Sequence, residues 1–391
     1  MPANASSPAR RAVSIIVPAR NEEANLATCL ESLVAQAGVS FEVIVVDDHS
    51  TDRTHEIASS FSDRGVRLIE APELPPGWTG KNNAVAAGAR AAQGEWLLFT
   101  DADTVHLPGS LSRALAEAHE HQADMLSYSP EQIAVTFWEM AVLPVVFAEL
   151  VRQYPPSKVC DPHSPIAAAN GQYILITREA YDAVGGHAAI ASEILEDVAF
   201  ARAIKRSGRR IFFRYGADAV RTRMYRNLAQ LREGWTKNLA LLFPHPLRLA
   251  GLAFIEFVVI LSFVNGLIQR AIFGRWYLPS ASVLPPHYPL TDRQVPLVNA
   301  LMVAFAAAGL IYLWLLSVRR TRSAHFPVRL SGIAMLGLPM FAYLLLRSIR
   351  VHQRREISWK GRTYSDRPLL GQKESIPKSP ASDDWQLRTG N

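Results

Sequence analysis

From Val295 to Leu316 the chain runs for 22 residues without a formal charge. A helix of that length rises far enough to cross a hydrocarbon layer of ~30 Å. A membrane span is therefore the first expectation, with an enclosed core helix as its rival. Two other stretches share the character. Ala250 to Ile268 is apolar apart from Glu256, and Leu330 to Leu346 is apolar but short and interrupted by Gly332, Gly337 and Pro339. Arginines gather beside these stretches: Arg319, Arg320 and Arg322 after one, Arg347, Arg350, Arg354 and Arg355 after another. That is the pattern of a cytoplasmic membrane flank. The net charge of +6 is thus accounted for without nucleic acid, and no interleaved aromatic pattern supports such a partner.

Before residue 247 the pattern changes to strand–helix alternation. "AVSIIVP", "FEVIVVDD", "VRLIEAP" and the run Glu95 to Thr100 read as strands. Between them lie "EEANLATCLESLVAQ", with Leu26, Leu30, Leu33 and Val34 on one helical face, a helix near Asp52 to Phe61 with Ser50 and Thr51 as cap chemistry, and a helix near Asn82 to Ala92. This order implies an α/β fold with a mostly parallel sheet. Ligands of such sheets bind beyond the carboxyl ends of the strands. Three polar clusters fall there: Pro18 to Glu22, Asp47-Asp48, and Asp101-Ala-Asp103. Together they describe a site for something polar and phosphorylated. Neither G-x-G-x-x-G nor G-x-x-x-x-G-K-[ST] is present, which argues against a nicotinamide dinucleotide fold or a P-loop.

Adjacent carboxylates repel, so Asp101 and Asp103 need a reason to stand together. A solvated turn is one; a divalent cation is another. In an extended segment, side chains at i and i+2 point the same way and could converge on one ion. Cys29 and Cys160 form no metal spacing and no disulfide framework; Cys29 sits in an apolar helical pattern and reads as core. His106 and His163 read as hydrogen-bonded or surface residues.

The segments "SIIVPARNEE", "VIVVDDHSTD", "GWTGKNNA", "FTDADT", "NGQYILITREAY" and "EILEDVAFARAIKRSG" resemble the family 2 inverting glycosyltransferases of GT-A fold. The likeness runs to about residue 240. "LPPGWTGKNNA", "GWTKN" and "WKGRTY" are most similar to the membrane-attached bacterial subgroup of hopene-associated and carotenoid glycosyltransferases. The resemblance implies a GT-A, Rossmann-like domain followed by membrane helices. It implies that Asp101 and Asp103 hold Mg²⁺ or Mn²⁺ against a nucleotide-sugar diphosphate, hard oxygen ligands for hard cations. It places Asp48, with Asp47 beside it, at the base, Pro18, Arg20 and Glu22 around the nucleoside, and Lys81 and Asp101 at the donor. The acidic pair is Glu196-Asp197, with Asp197 the catalytic base; Glu193 is a local competitor. His187 matches a position near the acceptor loop. Trp235 either stacks on the acceptor or is a membrane-interface tryptophan. The Q-x-x-R-W of processive synthases is replaced by "QLREGWTKN", with Arg232 and Trp235 spaced differently, so single transfer is expected.

The resulting expectation is a metal-dependent enzyme moving one sugar, from a donor of UDP type, to a lipid or terpenoid acceptor at the bilayer. A nucleotidyltransferase and a catalytically silent membrane scaffold are the rivals. The expected organisation is a loose N-terminus over 1–11, a GT-A domain over 12–246, membrane helices over 247–350 and a basic cytoplasmic tail over 351–391. With no signal-peptide apolar region, the catalytic domain stays cytoplasmic on a bacterial inner membrane, multi-pass. Spans at 250–268 and 295–316 would return the chain to the cytoplasm. A third span at 330–346 would put the basic tail outside, so a re-entrant or interfacial hairpin is expected there. Ile133 to Val151, apolar but carrying Glu139, Pro144 and Glu149, is expected to be either an interfacial segment or a buried one.

Overall fold

The computed structural model describes residues 11–273, 294–354, 357–359 and 362–364. Most of the expected N-terminal arm, and of the tail beyond 354, lies outside the described residues. The strands are β1 (Val13–Ala19), β2 (Phe41–Asp47), β3 (Val66–Glu70), β4 (Trp96–Phe99), β5 (Thr104–His106), β6 (Met125–Ser129), β7 (Glu131–Gln132), β8 (Ile174–Thr177), β9 (Ile211–Tyr215), β10 (Val220–Thr222), β11 (Ile357–Trp359) and β12 (Arg362–Tyr364). The helices are α1 (Leu26–Val34), α2 (Thr54–Ser59), α3 (Gly80–Ala91), α4 (Ser110–Glu120), α5 (Phe137–Gln153), α6 (Pro156–Cys160), α7 (Arg178–Ala183), α8 (Glu196–Arg206), α9 (Leu228–Leu242), α10 (Pro246–Phe273), α11 (Gln294–Ser323) and α12 (Ser331–Arg354).

Seven strands form one sheet in the order β3-β2-β1-β4-β8-β6-β9. Pairing is parallel except around β8, which runs antiparallel to both β4 and β6. The central strands are apolar on both faces because helices cover both sides; Ile15, Ile16, Val45 and Leu98 are fully buried. Register sets the site. Ala19 pairs with Asp47 and Ile16 with Phe99, so the ends of β1, β2 and β4 open on one edge. The antiparallel β8 starts at that edge and brings Asn170 to Gln172 there as well. A smaller sheet, β5-β10-β7, stands beside it.

The helix over residues 54–59 is capped differently from the expectation. Ser50 and Thr51 instead meet Asn21 across the loop, and Asp52 accepts the Thr54 amide at 3.0 Å. The 133–151 stretch is α5, and it is buried. Thr136 and Glu139 form a capping box at its start, while Ala141 to Ala148 are covered by protein. Glu139, 1% exposed on its side chain, is paired with Arg223 at 3.0 Å. Only Ile133, Val135 and Phe137, ahead of and at the first turn, remain exposed. The interfacial reading of this segment is thereby corrected.

Among the described residues, three helices are long and apolar enough to cross a membrane, over Pro246–Ile272, Pro296–Ser323 and Val328–Arg354. They do not behave alike. α10 and α11 run antiparallel, joined by the Glu256–Arg320 pair at 2.7 Å and by Phe263 against Phe305, and leave most apolar side chains exposed. α12 is one unbroken helix through Gly337 and Pro339, so the hairpin expectation is corrected. Ala334, Leu338, Phe341, Leu345, Ser348 and His352 form a continuous buried stripe at helical spacing. That stripe packs on α5, α9 and α10. Gly337 sits against the Ala141 carbonyl, where a Cβ would collide. Further along, Ser348 accepts the Ala240 amide and His352 meets the Lys237 carbonyl, both at 2.9 Å.

Candidate active site

A cleft of about 880 Å³ opens over the carboxyl edge of the sheet. Pro18, Arg20, Glu22 and Asp48 line it from the ends of β1 and β2. Arg20 donates to the Asp48 carbonyl, and the Asp48 amide donates to Ala19 at 2.8 Å, which fixes the two loops together. Asp47 departs from the expectation. Its carboxylate accepts the Ser50 amide at 3.1 Å and meets His55 at 3.2 Å, so it closes the strand end and points away from the cleft.

Asp101 and Asp103 both line the cleft. They do so from a tight turn, in which the Thr104 amide donates to the Asp101 carbonyl, and not from an extended segment as expected. The turn is braced by Thr100, Thr104 and His106, whose buried polar atoms bond to one another. Burial pushes His106 down to about 3, so the ring is neutral and structural. Asp103 faces the Gln172 amide at 3.4 Å.

Lys81 stands in the first turn of α3, whose N-cap Thr79 accepts the Asn82 amide. Its ammonium bridges Asp101 at 2.7 Å and Glu196 at 2.6 Å. Burial opposes that charge, yet Asp101 and Glu196 hold it well above the ordinary lysine value. Asn82 carries the scaffold: its amide donates to the carbonyls of Ile190, Ala191 and Glu193, pinning the loop that leads into α8. Glu193 itself is exposed and precedes the helix, so it does not share a helical face with Asp197.

Glu196 and Asp197 open α8, where the helix end favours negative charge. Asp197 accepts the Gly171 amide at 3.1 Å and the Val198 amide at 2.8 Å. Burial, with the Glu196 charge beside it, pushes Asp197 up to about 6. Burial would raise Glu196 too, but Lys81 and Lys237 overcome it and hold the group below its ordinary value. Gly171 lies close under the ion pair: a Cβ there would stand 3.2 Å from the Lys81 ammonium and 3.3 Å from the Glu196 carboxylate.

His187 is not in the cleft wall. It is buried behind the acidic pair, stacked on Phe200 at 5.1 Å, with its ring nitrogen 3.1 Å from Tyr181. Its expected place at the acceptor is corrected. His163 and Arg232 are exposed. Trp235 lines the cleft, 3% exposed, between Phe147 and Tyr225, and its indole N–H has no hydrogen-bond partner among the described residues.

Sequence reasoning missed three residues. Gln172 orients the acid turn. Arg223 links the cleft to α5 through Glu139. Lys237, on α9, answers Glu196, while burial pushes its ammonium below the ordinary value. "GWTKN" was visible as a motif, but a helix motif does not say which side chain turns inward. Away from these charges the cleft becomes apolar and aromatic, with Phe147, Phe213, Tyr215 and Trp235, and ends on Ala324, His325 and Phe326 between α11 and α12.

Asp101 and Asp103 offer carboxylate oxygens, the hard donors that divalent cations such as Mg²⁺ take; Asp101 meets the Lys81 ammonium at 2.7 Å, and no group of three ligating side chains is present among the described residues.

Residues 14–185 match the family model described as Glycosyl transferase family 2. A 4,4'-diaponeurosporenoate glycosyltransferase of Staphylococcus aureus is 31% identical over 236 residues, 59% of this chain and 61% of the relative. The chain thus spans less than two thirds of the length of that relative. Among solved structures, a mannosyltransferase, PcManGT from Pyrobaculum calidifontis in complex with GDP-Man and Mn²⁺, is similar at a TM-score of 0.46 and 19% identity, over 88% of this chain and 87% of that one. A complex of S. aureus TarS with UDP is similar at a TM-score of 0.38 and 20% identity, over 59% of this chain and 65% of that one.

Proposed function

Starting from the match of residues 14–185 to the Glycosyl transferase family 2 model, we propose that the protein moves one sugar from a nucleotide donor of UDP type to a lipophilic acceptor at a membrane. One observation carries the reading. A single cleft joins the charged cluster of Lys81, Asp101, Asp103 and Asp197 to an aromatic end built partly by the loop of the apolar helices. A phosphorylated donor suits the first end and a lipid body the second.

In the proposed reaction Asp48, Arg20 and Glu22 hold the nucleoside. Lys81 offers its ammonium to the diphosphate, where cationic donors are strongest. Asp101 and Asp103 would hold Mg²⁺ or Mn²⁺, which supplies neutralisation of the leaving diphosphate when bound. Asp197 takes the proton of an acceptor hydroxyl as its oxygen bonds to the anomeric carbon and the bond to the diphosphate breaks, with inversion. An acceptor carboxylate needs no such removal, and Asp197 then orients it. The acceptor class is supported by the aromatic end and by the named activity of the S. aureus relative.

The proposed organisation keeps the catalytic unit at 12–246. α10 and α11 cross the bilayer, and α12 lies on the catalytic unit without crossing. α12 buries 44% of its most apolar window inside the protein, against 17% and 22% for the other two. This puts the arginines of α11 and α12 on the catalytic side, as the charge rule requires.

The test is UDP release by purified protein in vesicles containing cellular lipid extract. Release that needs both the extract and a divalent cation, and that stops with EDTA, is expected. Pyrophosphate release in place of UDP, or turnover indifferent to EDTA, would overturn the reading.

A further inference from the structure

We infer that the connection between α11 and α12, Ala324–His325–Phe326, is the acceptor-selecting wall of the cleft, so that the apolar helices build part of the active site and do not only anchor it. The inference rests on the transfer reading above and adds to it which residues meet the acceptor body.

The connection is short and held from both sides. The Phe326 amide donates back to Thr321 at 3.0 Å, and that of Ala324 to Arg320 at 3.0 Å, closing the end of α11. His325 lies at φ +61°, in the left-handed region that costs a side-chain-bearing residue about 1 kcal/mol or more. Glycine would avoid that cost, but glycine has no ring. The His325 ring stacks face to face on Tyr215, with centroids 3.8 Å apart and planes 4° from parallel. Tyr215 ends β9, a strand of the catalytic sheet. The stack therefore clamps the helix connection to the catalytic sheet, beside the cleft that both rings line.

Phe326 completes the wall. It is 7% exposed and meets Phe147 of α5 at 6.1 Å. Phe147 in turn meets Trp235 at 6.1 Å. Three aromatic side chains, from α5, from α9 and from the α11–α12 connection, thus line the one cleft that Asp197 also lines. Further back on α11, more than two turns before the connection, Trp314 and Leu315 are exposed. A ligand with a polar head and an apolar body fits only one way round: head at Asp197, body along Phe147 and Phe326, tail toward α11.

Two experiments test the assignment. The first compares His325→Gly, which keeps the left-handed backbone accessible while removing the ring, and Phe326→Ala with the unaltered protein, using an isoprenoid alcohol and a short alkyl alcohol as acceptors. The KM for the isoprenoid alcohol is expected to rise about tenfold, the scale of losing pocket contacts to an apolar group, with the donor Kd unmoved. An equal loss with both alcohols, or no change with either, would overturn the inference. The second uses a diazirine-bearing isoprenoid alcohol in vesicles and maps the crosslinked peptides. Adducts on residues 324–326 or on α5 are expected. Their absence while other segments are labelled would overturn the inference whether or not sugar transfer is seen. Absence of UDP release with any acceptor, alongside those adducts, would instead sink the transfer reading and leave a lipid-binding wall.

Discussion

Asp197 holds the most demanding position in the molecule, because both its oxygens accept backbone amides while burial and Glu196 press against its charge. Its ionised form is the one that can take a proton. Transfer to a hydroxyl acceptor should therefore rise as pH passes about 6 and fall below it, a limb measured as kcat/KM against pH. Asp197→Asn should lower kcat by about 10²–10⁴-fold, the usual worth of a positioned base. A large loss of donor affinity at near-normal turnover would refute that role. A second pH effect concerns stability. Burial lowers the rings of His106 and His187 to about 3 in the folded chain. The unfolded chain binds protons on them from about 6.5 downward, so their share of the stability is lost as pH falls from there toward 3. The melting temperature should drop across that window, and less steeply in His106→Gln. At this scale the sequence was legible where a residue's neighbours share its strand end. Asp101, Asp103 and Asp48 reach the cleft as their positions imply. It was not legible which of Asp47 and Asp48 faces inward, since strand ends twist into turns and alternation fails there. Lys237 was hidden for another reason: its partner Glu196 comes from a different helix.

Among the elements, α12 shows how one composition can serve two purposes. Gly332, Gly337 and Pro339 in a short apolar run permit a bend, and a bend was the expectation. Gly337 instead lets α12 approach the backbone of α5, and the helix stays whole. Spacing alone does not separate a glycine that bends a helix from one that lets two helices touch. Substitution does. Gly337→Leu should destabilise the protein by about 1–3 kcal/mol, the cost of overpacking a closed contact. Gly332→Leu, where nothing stands within 4 Å of the added Cβ, should leave the melting temperature in detergent unchanged. Equal melting temperatures for the two variants would mean that the α5–α12 crossing is loose. α5 was half-legible: its acids and proline ruled poorly for a span, and the capping pair Thr136–Glu139 was present in the sequence, but burial by α9 and α12 comes from parts of the chain far away.

For the molecule as a whole, α12 packs on α5, α9 and α10, while α10 and α11 leave most of their apolar side chains exposed. An impermeant thiol reagent applied to intact cells, in a Cys160→Ser background, should modify Ser280→Cys between α10 and α11 and spare Arg350→Cys on α12. Modification at Arg350→Cys would show that α12 crosses. The parallel sheet and its order of elements were legible from apolar runs and turns, because those are local. The union of α12 with α5 and α9 was not, because it depends on which faces meet. Truncation before α10 should fail to give a well-behaved soluble enzyme, since it strips the cover from Ala141 to Ala148.

The cleft that ends on Phe326 also changes what concentration means for this protein. Its apolar end closes on the connection that follows α11, a helix proposed to sit in lipid, so the acceptor is met by diffusion in two dimensions. Velocity should then follow the mole fraction of acceptor in the bilayer and be indifferent to the volume of buffer. Adding inert phospholipid to a fixed amount of acceptor should slow the reaction, whereas diluting the same vesicles with water, at a saturating donor concentration, should not change the turnover of each enzyme molecule.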